Sequence, residues 1–302
     1  MIHGFHIEPT NICTLKCPGC ARTRFIGQWP QYWKNYSLDI NQLLNFLDVD
    51  LKNKEINLCG NYGDPIYHPN FIEFVKRLKK FGAVLNITTN GSYKTKEWWQ
   101  QLTELLESTD MITFSIDGIP ENFKEYRKNA DWDSIQIGIE TSVSSKCQTK
   151  WKYIPFLFNE NSIDKAKILS KELGIDIFTV EPSDRYNEIT ANLKPTKIDF
   201  IGKRFKANQE WKKGNSVSDI NSKCSNNKEH YISADGFYSP CCFVADHRFY
   251  YKTNFGKQKK QYDIRTTTLS QLLEKDNVIK FYNNLAQHSV CQYNCPETNH
   301  EI

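Results

Sequence analysis

Three cysteines, Cys13, Cys17 and Cys20, lie in the run Cys-Thr-Leu-Lys-Cys-Pro-Gly-Cys near the start of the chain, separated by three and then two residues. Thiolates are the usual ligands of iron–sulfur clusters, and four of them close a [4Fe–4S] cube. A short loop that supplies three leaves one iron free to take a small molecule. An open position marks a catalytic metal site rather than a structural one, so the spacing points to an enzyme. The competing reading is a zinc loop. Zinc sites favour paired Cys-x2-Cys knuckles with a second pair or histidines soon after. Here the next cysteine is Cys59, in an apolar run, and the next histidine is His68.

Elements that position this loop are legible up to about residue 182. Residues 3–8 alternate and end in Pro9-Thr10-Asn11, a strand that feeds the cysteines. Strands are expected at 55–59, 83–89, 111–116, 152–158 and 175–180. Helices are expected at 38–51, 70–81, 96–106 and 162–173, with another that ends near Val143 and is broken near Asn129. Strands alternating with helices imply parallel pairing with right-handed crossovers, and six such units suit a partial barrel. Ligands bind at the carboxyl ends of parallel strands. At that rim fall the cysteine loop, Cys59 to Pro65, Thr88 to Gly91, and Ser115 to Gly118. Each is ordinary turn chemistry taken singly; four on one rim point to a site.

With 302 residues the chain has room for one large core and a small appendage. A net charge of +4, dispersed along the sequence, argues against nucleic acid. No apolar stretch is long enough to span a membrane, and no signal-peptide pattern opens the chain, so a cytoplasmic protein is expected. Ten cysteines without an export signal favour metal or catalysis over disulfides. Cys59 and Cys147 read as buried apolar residues. Residues 183–223 are polar and basic, a linker with a short helix around 198–211. The remaining part, 224–302, holds five of the ten cysteines and is too small for a large core of its own.

These features together resemble the radical S-adenosylmethionine (SAM) enzymes, over nearly the whole chain. The cysteine loop matches the family's cluster motif, and Gly60 to Pro65 is similar to its Gly-Gly-Glu-Pro segment. Two departures stand out. Gly19 replaces the aromatic residue often found before the third cysteine, and Asn61 and Tyr62 separate the glycines ahead of Asp64. The resemblance implies that Cys13, Cys17 and Cys20 hold a [4Fe–4S] cluster and act in catalysis. It implies that SAM chelates the free iron, and that one electron cleaves it to a 5′-deoxyadenosyl radical that abstracts a substrate hydrogen. Gly60, Asn61, Gly63, Asp64 and Pro65 would contact SAM, and Asn90 would also reach it. Ser115 and Arg127 match the Ser and Arg that bind SAM in sulfatase-maturating relatives; a guanidinium pairs bidentately with a carboxylate.

The C-terminal cysteines carry a second resemblance. Cys224, Gly236 and Cys241 follow a Cys-x11-Gly-x4-Cys spacing, similar to the opening of SPASM and Twitch auxiliary-cluster domains. Tyr231 to Pro240 reads as a hairpin with an Asp235-Gly236 turn, which would bring Cys224 and Cys241 together. The implied ligands of one auxiliary [4Fe–4S] cluster are Cys224, Cys241, Cys291 and Cys295, with Cys242 the rival of Cys241. Zinc on the same thiolates is the alternative.

The expected fold is therefore α/β, a partial (β/α)6 TIM-like barrel over 1–182 with a small C-terminal iron–sulfur domain. The expected function is oxidation or bond formation on a peptide, with an electron donor such as flavodoxin or ferredoxin. No leader-binding segment precedes the first strand, so a peptide would need a separate peptide-recognition protein or be recognised through the aromatic, basic surface. The alternatives are a small-molecule dehydrogenase or rearrangement enzyme in a cofactor or natural-product pathway, and a zinc-binding protein without catalysis. Trp29, Tyr32, Trp33 and Tyr36 read as a packed lid or as the lining of a substrate groove. General-base candidates are Glu8, Glu181, Asp184 and Asp235; His6 and His230 read as ordinary residues.

Overall fold

The computed structural model describes residues 4–184, 186, 190–202, 205, 220 and 229–295. Strands β1 (Gly4–Ile7), β2 (Glu55–Leu58), β3 (Val84–Thr89), β4 (Met111–Ser115), β5 (Gln148–Tyr153) and β6 (Ile177–Val180) lie side by side in chain order and pair in parallel. Helices α1 (Ala21–Gln28) and α2 (Ile40–Phe46) follow β1, and α3 (Phe71–Lys80), α4 (Lys96–Thr103), α5 (Trp132–Val143) and α6 (Ile163–Glu172) follow the next four strands. This is the partial α/β barrel that the alternating pattern implies.

Strand alternation decides which face meets the helices. In β3, Leu85, Ile87 and Thr89 are buried while Val84, Asn86 and Thr88 are half-exposed on the other face. The buried set packs under helices whose apolar residues recur at three and four, as Phe71, Phe74, Val75 and Leu78 do in α3. Side-chain caps start these helices: Asp39 takes Asn41 N and Gln42 N at α2, Thr95 takes Trp98 N at α4, and Asp131 takes Ser134 N at α5. Helices α4 and α5 close together because Gly138 has no side chain; a Cβ there would lie 2.7 Å from Trp99.

Three expectations need adjustment. Strand β5 runs over 148–153, four residues ahead of the apolar stretch. Thr149, Trp151 and Tyr153 alternate with Gln148, Lys150 and Lys152. The run that follows contains Pro155, which has no amide to give a ladder, and Asn159 closes it as a loop by accepting from Phe156 N at 2.5 Å. Between β4 and α5 the chain forms only a 3-10 turn, Phe123–Glu125, before Asn129 breaks it at φ 70°. Of the short helix expected around 198–211, a 3-10 turn at Ile198–Phe200 is present; most of 203–228 lies outside the described residues.

The C-terminal segment joins the barrel sheet directly. Strand β7 (Glu229–Ile232) pairs in parallel with β1, Gly4 opposite Glu229 and Ile7 opposite Ile232. It turns through Asp235-Gly236, with Gly236 at φ 82°, into the short antiparallel β8 (Tyr238–Ser239). The sheet order is β6-β5-β4-β3-β2-β1-β7-β8. Helices at Leu269–Leu273, Asp276–Asn283 and Ser289–Asn294 follow. No described helix is long and apolar enough to cross a membrane.

Candidate active site

The cysteine loop leaves β1 and is stapled at its start. Pro9 O accepts Leu38 N, Tyr36 O accepts Asn11 N, and Asn11 Oδ1 accepts Tyr36 N, at 2.8, 3.2 and 2.8 Å. Cys17 is buried; Cys13 and Cys20 are half-buried. Cys20 directly precedes α1, and its amide donates to Cys17 O at 3.1 Å. Lys16 N donates to Lys128 O at 3.1 Å, which ties the loop to the turn carrying Arg127.

The segment after β2 lies against this loop at van der Waals contact. A Cβ on Gly63 would fall 1.9 Å from Thr10 O and 2.6 Å from Asn11 Cα, so only glycine fits. Asp64 N donates to Ile12 O at 3.0 Å. Glu8, buried at the end of β1, holds the segment from below: one oxygen accepts Tyr62 N at 2.7 Å and Gly63 N at 3.1 Å, and the other accepts the Tyr231 hydroxyl at 2.8 Å. Burial raises the Glu8 pKa above the usual carboxylate range, more than these donors lower it. Asp64 is likewise raised by burial while it accepts Asn90 N at 2.6 Å. Asn90 is thereby fixed with its side-chain nitrogen 3.8 Å from Cys13 Sγ. Pro65 opens a 3-10 turn capped by Asp64.

Arg127 stands where the sequence places it, on the rim, although on a turn rather than a helix. Its Nε lies 2.7 Å from Asp117 Oδ2, in a pair 16% and 0% exposed. Burial opposes its charge, but Asp117 and then Cys17 outweigh that and hold the guanidinium ionised. Ser115 ends β4, half-buried, opposite Lys152 of β5.

The general-base candidates all have partners. Glu8 has its three donors, Glu181 lies between Lys152 and Lys150 at 2.5 and 3.8 Å, and Asp184 accepts Phe205 N at 2.7 Å. Asp235 holds Lys259 at 2.8 Å and the Ser233 hydroxyl at 2.6 Å. His6 meets Cys59 O at 2.7 Å; Cys147 is in the core, whereas Cys59 is only half-buried. His230 is buried between the Tyr238 and Tyr282 hydroxyls, and burial pushes its pKa down to about 4.

Cys224 lies outside the described residues. Cys291 and Cys295 sit on and just after helix Ser289–Asn294, and the chain following Cys241 and Cys242 packs on that helix, Phe249 against Tyr293 at 5.4 Å. Asn61 Nδ2 donates to Cys242 O at 2.8 Å, and the Tyr62 hydroxyl accepts His247 N at 2.9 Å. The two residues between the glycines thus bind the β2 rim to the C-terminal cysteine segment. Sequence reasoning missed His247 and read Tyr231 only as a hairpin residue, since contacts across 185 and 223 positions leave no local signal. A larger groove of about 750 Å³ runs outside the barrel between α4 and α5, away from the cysteine loop.

Three thiols on one short loop are the donor set of a [4Fe–4S] cluster. Cys13 Sγ accepts Leu15 N at 3.4 Å, and burial followed by Asp64 pushes this thiol up to about 12; a bound metal would hold it as the thiolate. Among the described residues no three His, Cys, Asp or Glu close on a single ion position; the thiolates of a cube bind different irons.

A partial parallel barrel with a three-thiol loop at the carboxyl ends of its strands defines a class of iron–sulfur barrel enzyme. The family model described as the Radical SAM superfamily matches residues 7–171, and the chain belongs to that superfamily. It is therefore a radical SAM enzyme, and membership implies SAM and a [4Fe–4S] cluster as cofactors. The chain is 27% identical over 309 aligned positions to the tungsten-containing aldehyde ferredoxin oxidoreductase cofactor-modifying protein of Pyrococcus furiosus, covering 89% of this chain and 78% of that one. Its fold is similar to that of anSMEcpe, solved with AdoMet and the Cp18Cys peptide, at a TM-score of 0.59 and 15% identity over 98% of this chain and 89% of that one. It is also similar to Streptococcus suis SuiB bound to its precursor peptide SuiA, at 0.59 and 14% over 95% and 67%. At these identities the two structures speak to fold alone.

Proposed function

We propose that the chain reductively cleaves SAM and uses the resulting radical for oxidation or bond formation on a peptide. In this reading Cys224, Cys241, Cys291 and Cys295 hold an auxiliary [4Fe–4S] cluster, and flavodoxin or ferredoxin supplies the electron. The observation that supports SAM cleavage at this rim is the seating of Gly63 and Asp64 directly on the cysteine loop; the peptide substrate rests on the likeness to peptide-bound enzymes. Bound together, cluster and SAM supply reductive carbon–sulfur cleavage and hydrogen abstraction. The protein's part is orientation and exclusion of side reactions.

Cys13, Cys17 and Cys20 would ligate the cluster. Arg127, held through Nε by Asp117, would pair with the SAM carboxylate, and Gly60 to Pro65 would offer carbonyls to the SAM amino group. Asp64 keeps Asn90 beside Cys13. Ser115 completes the SAM contacts from β4.

A second reading, modification of a cofactor, is favoured by the Pyrococcus furiosus relative. A neighbouring gene for a short precursor peptide favours the first reading, and its absence the second. The test of the shared chemistry is iron content and 5′-deoxyadenosine formation, without oxygen, in wild type and in the Cys13/Cys17/Cys20 triple-Ala variant. About eight irons falling to about four, with loss of deoxyadenosine, is expected. Persistent deoxyadenosine in the variant overturns the assignment.

A further inference from the structure

A cavity of about 180 Å³ opens between the segment after the cysteine loop and the C-terminal segment. Its floor reaches Glu8 and Asn11, two residues short of Cys13. Its walls are mostly rings, among them Trp33, Tyr36, Tyr62, Phe237 and Tyr250. Of the two readings of the aromatic run, both are met in part: Trp29 and Trp33 pack on Phe25, His247 and Tyr62, while Tyr32, Trp33 and Tyr36 line the cavity. Tyr32, Tyr251 and Tyr36, all lining the cavity, are 70%, 65% and 41% exposed. Large exposed rings gathered round a cavity mark a binding site more than a core.

Resting on the proposed function, we propose that this cavity is the substrate pocket and that it takes a planar aromatic ring bearing a hydrogen-bond acceptor. Size comes first. A cavity of about 150 Å³ is enough to take benzene, so this one holds a substituted ring and not a folded segment. Shape and surface come next. Aromatic walls offer faces and edges to a ring in stacked or edge-on geometry. The edge of the pocket is polar: Lys259 Nζ lies 3.8 Å from the Phe237 ring centre and 2.8 Å from Asp235 Oδ2. An ammonium carries three hydrogens, so beyond its bond to Asp235, Lys259 has donors left for an acceptor on the ring's rim. Residues 34–36 are hydrogen-bonded to Asn11, so a ring held here lies against the chain that carries the cluster.

Such a ring has two sources, an aromatic side chain of a peptide or a heteroaromatic cofactor. The test uses the full chain reconstituted without oxygen and saturation-transfer NMR, with N-acetyltyrosinamide, 6-hydroxymethylpterin and N-acetylleucinamide as probes. The proposal expects an aromatic probe to bind at least fivefold more tightly than the leucine probe. Tyr251→Ser, on an exposed ring, is expected to weaken it about three- to tenfold, the worth of one aromatic pair. Phe81→Ser, on an exposed ring at the end of α3, is expected to change nothing. Preference for the tyrosine probe assigns a peptide, and preference for the pterin a cofactor; both support the pocket. Equal binding of the leucine probe, or a Tyr251→Ser variant that binds as wild type does, overturns it. The functional reading fails separately, if wild type makes no deoxyadenosine.

Discussion

Replacing Glu8 tests how the rim is held together. Its carboxylate is 1% exposed and satisfies three donors, Tyr62 N, Gly63 N and the Tyr231 hydroxyl. Glu8→Ala leaves the buried Tyr231 hydroxyl without its acceptor, while the two part-buried amides at the cavity floor can turn to water. A buried donor without a partner costs about 1–3 kcal/mol, a sizeable share of a domain's margin of about 5–15 kcal/mol. Glu8→Gln behaves differently. The amide oxygen keeps Tyr62 and Gly63, and the Tyr231 hydroxyl rotates to accept from the amide nitrogen. Only the charge is lost.

That difference makes the comparison depend on pH. Burial raises the Glu8 pKa in the fold, so the folded protein holds this proton more tightly than the unfolded chain does. Between the ordinary and the raised value the native state binds more protons, and stability falls as pH rises. Glutamine resembles the protonated acid and escapes the penalty. Glu8→Gln therefore gains on wild type as pH rises, by about 1.4 kcal/mol for each tenfold in proton affinity. Urea unfolding followed by tryptophan fluorescence at pH 5 and pH 8 measures both effects. A Glu8→Ala cost below about 1 kcal/mol, or a Glu8→Gln variant that loses ground as pH rises, refutes the account.

Gly63→Ala forces a Cβ into Thr10 O and is expected to part the glycine segment from the cysteine loop, cutting SAM binding in equilibrium dialysis by more than tenfold. Arg127→Ala is expected to weaken SAM binding without changing iron content. It also leaves Asp117 buried and unpaired, a loss of about 3–5 kcal/mol in urea unfolding that Asp117→Asn in the same chain should largely restore.

Much of the barrel was legible because its signals are local. Alternation marks β3, spacing of three and four marks α3, and Asn129 breaks the chain where a positive φ is needed. Strand β5 was misplaced because a run of apolar residues at 153–158 outweighed the weaker alternation of Thr149, Trp151 and Tyr153. The candidate site's cysteine spacing, glycine segment and Arg127 each give their signal within a few residues. What stayed hidden depends on distant partners. Nothing in the neighbourhood of Tyr231 says that its hydroxyl ends on Glu8, and nothing near Asn61 says that it reaches Cys242.

The same distance dependence bears on whether the C-terminal segment is a unit of its own. Strand β7 draws its parallel ladder from β1, and its hairpin partner β8 is two residues long. A two-stranded hairpin alone is marginal at best. The dependence runs both ways, because without β7 the strand that launches the cysteine loop becomes an open edge, a template for association. Glu8 would lose the Tyr231 hydroxyl, and the glycine segment would lose its hold on Cys242 and His247. A chain ended after residue 182 is therefore expected to aggregate on size-exclusion chromatography and to take up no cluster. A soluble monomer of that length that binds about four irons would show that the barrel stands without its C-terminal strands, and that β7 is an appendage to the site rather than part of its frame.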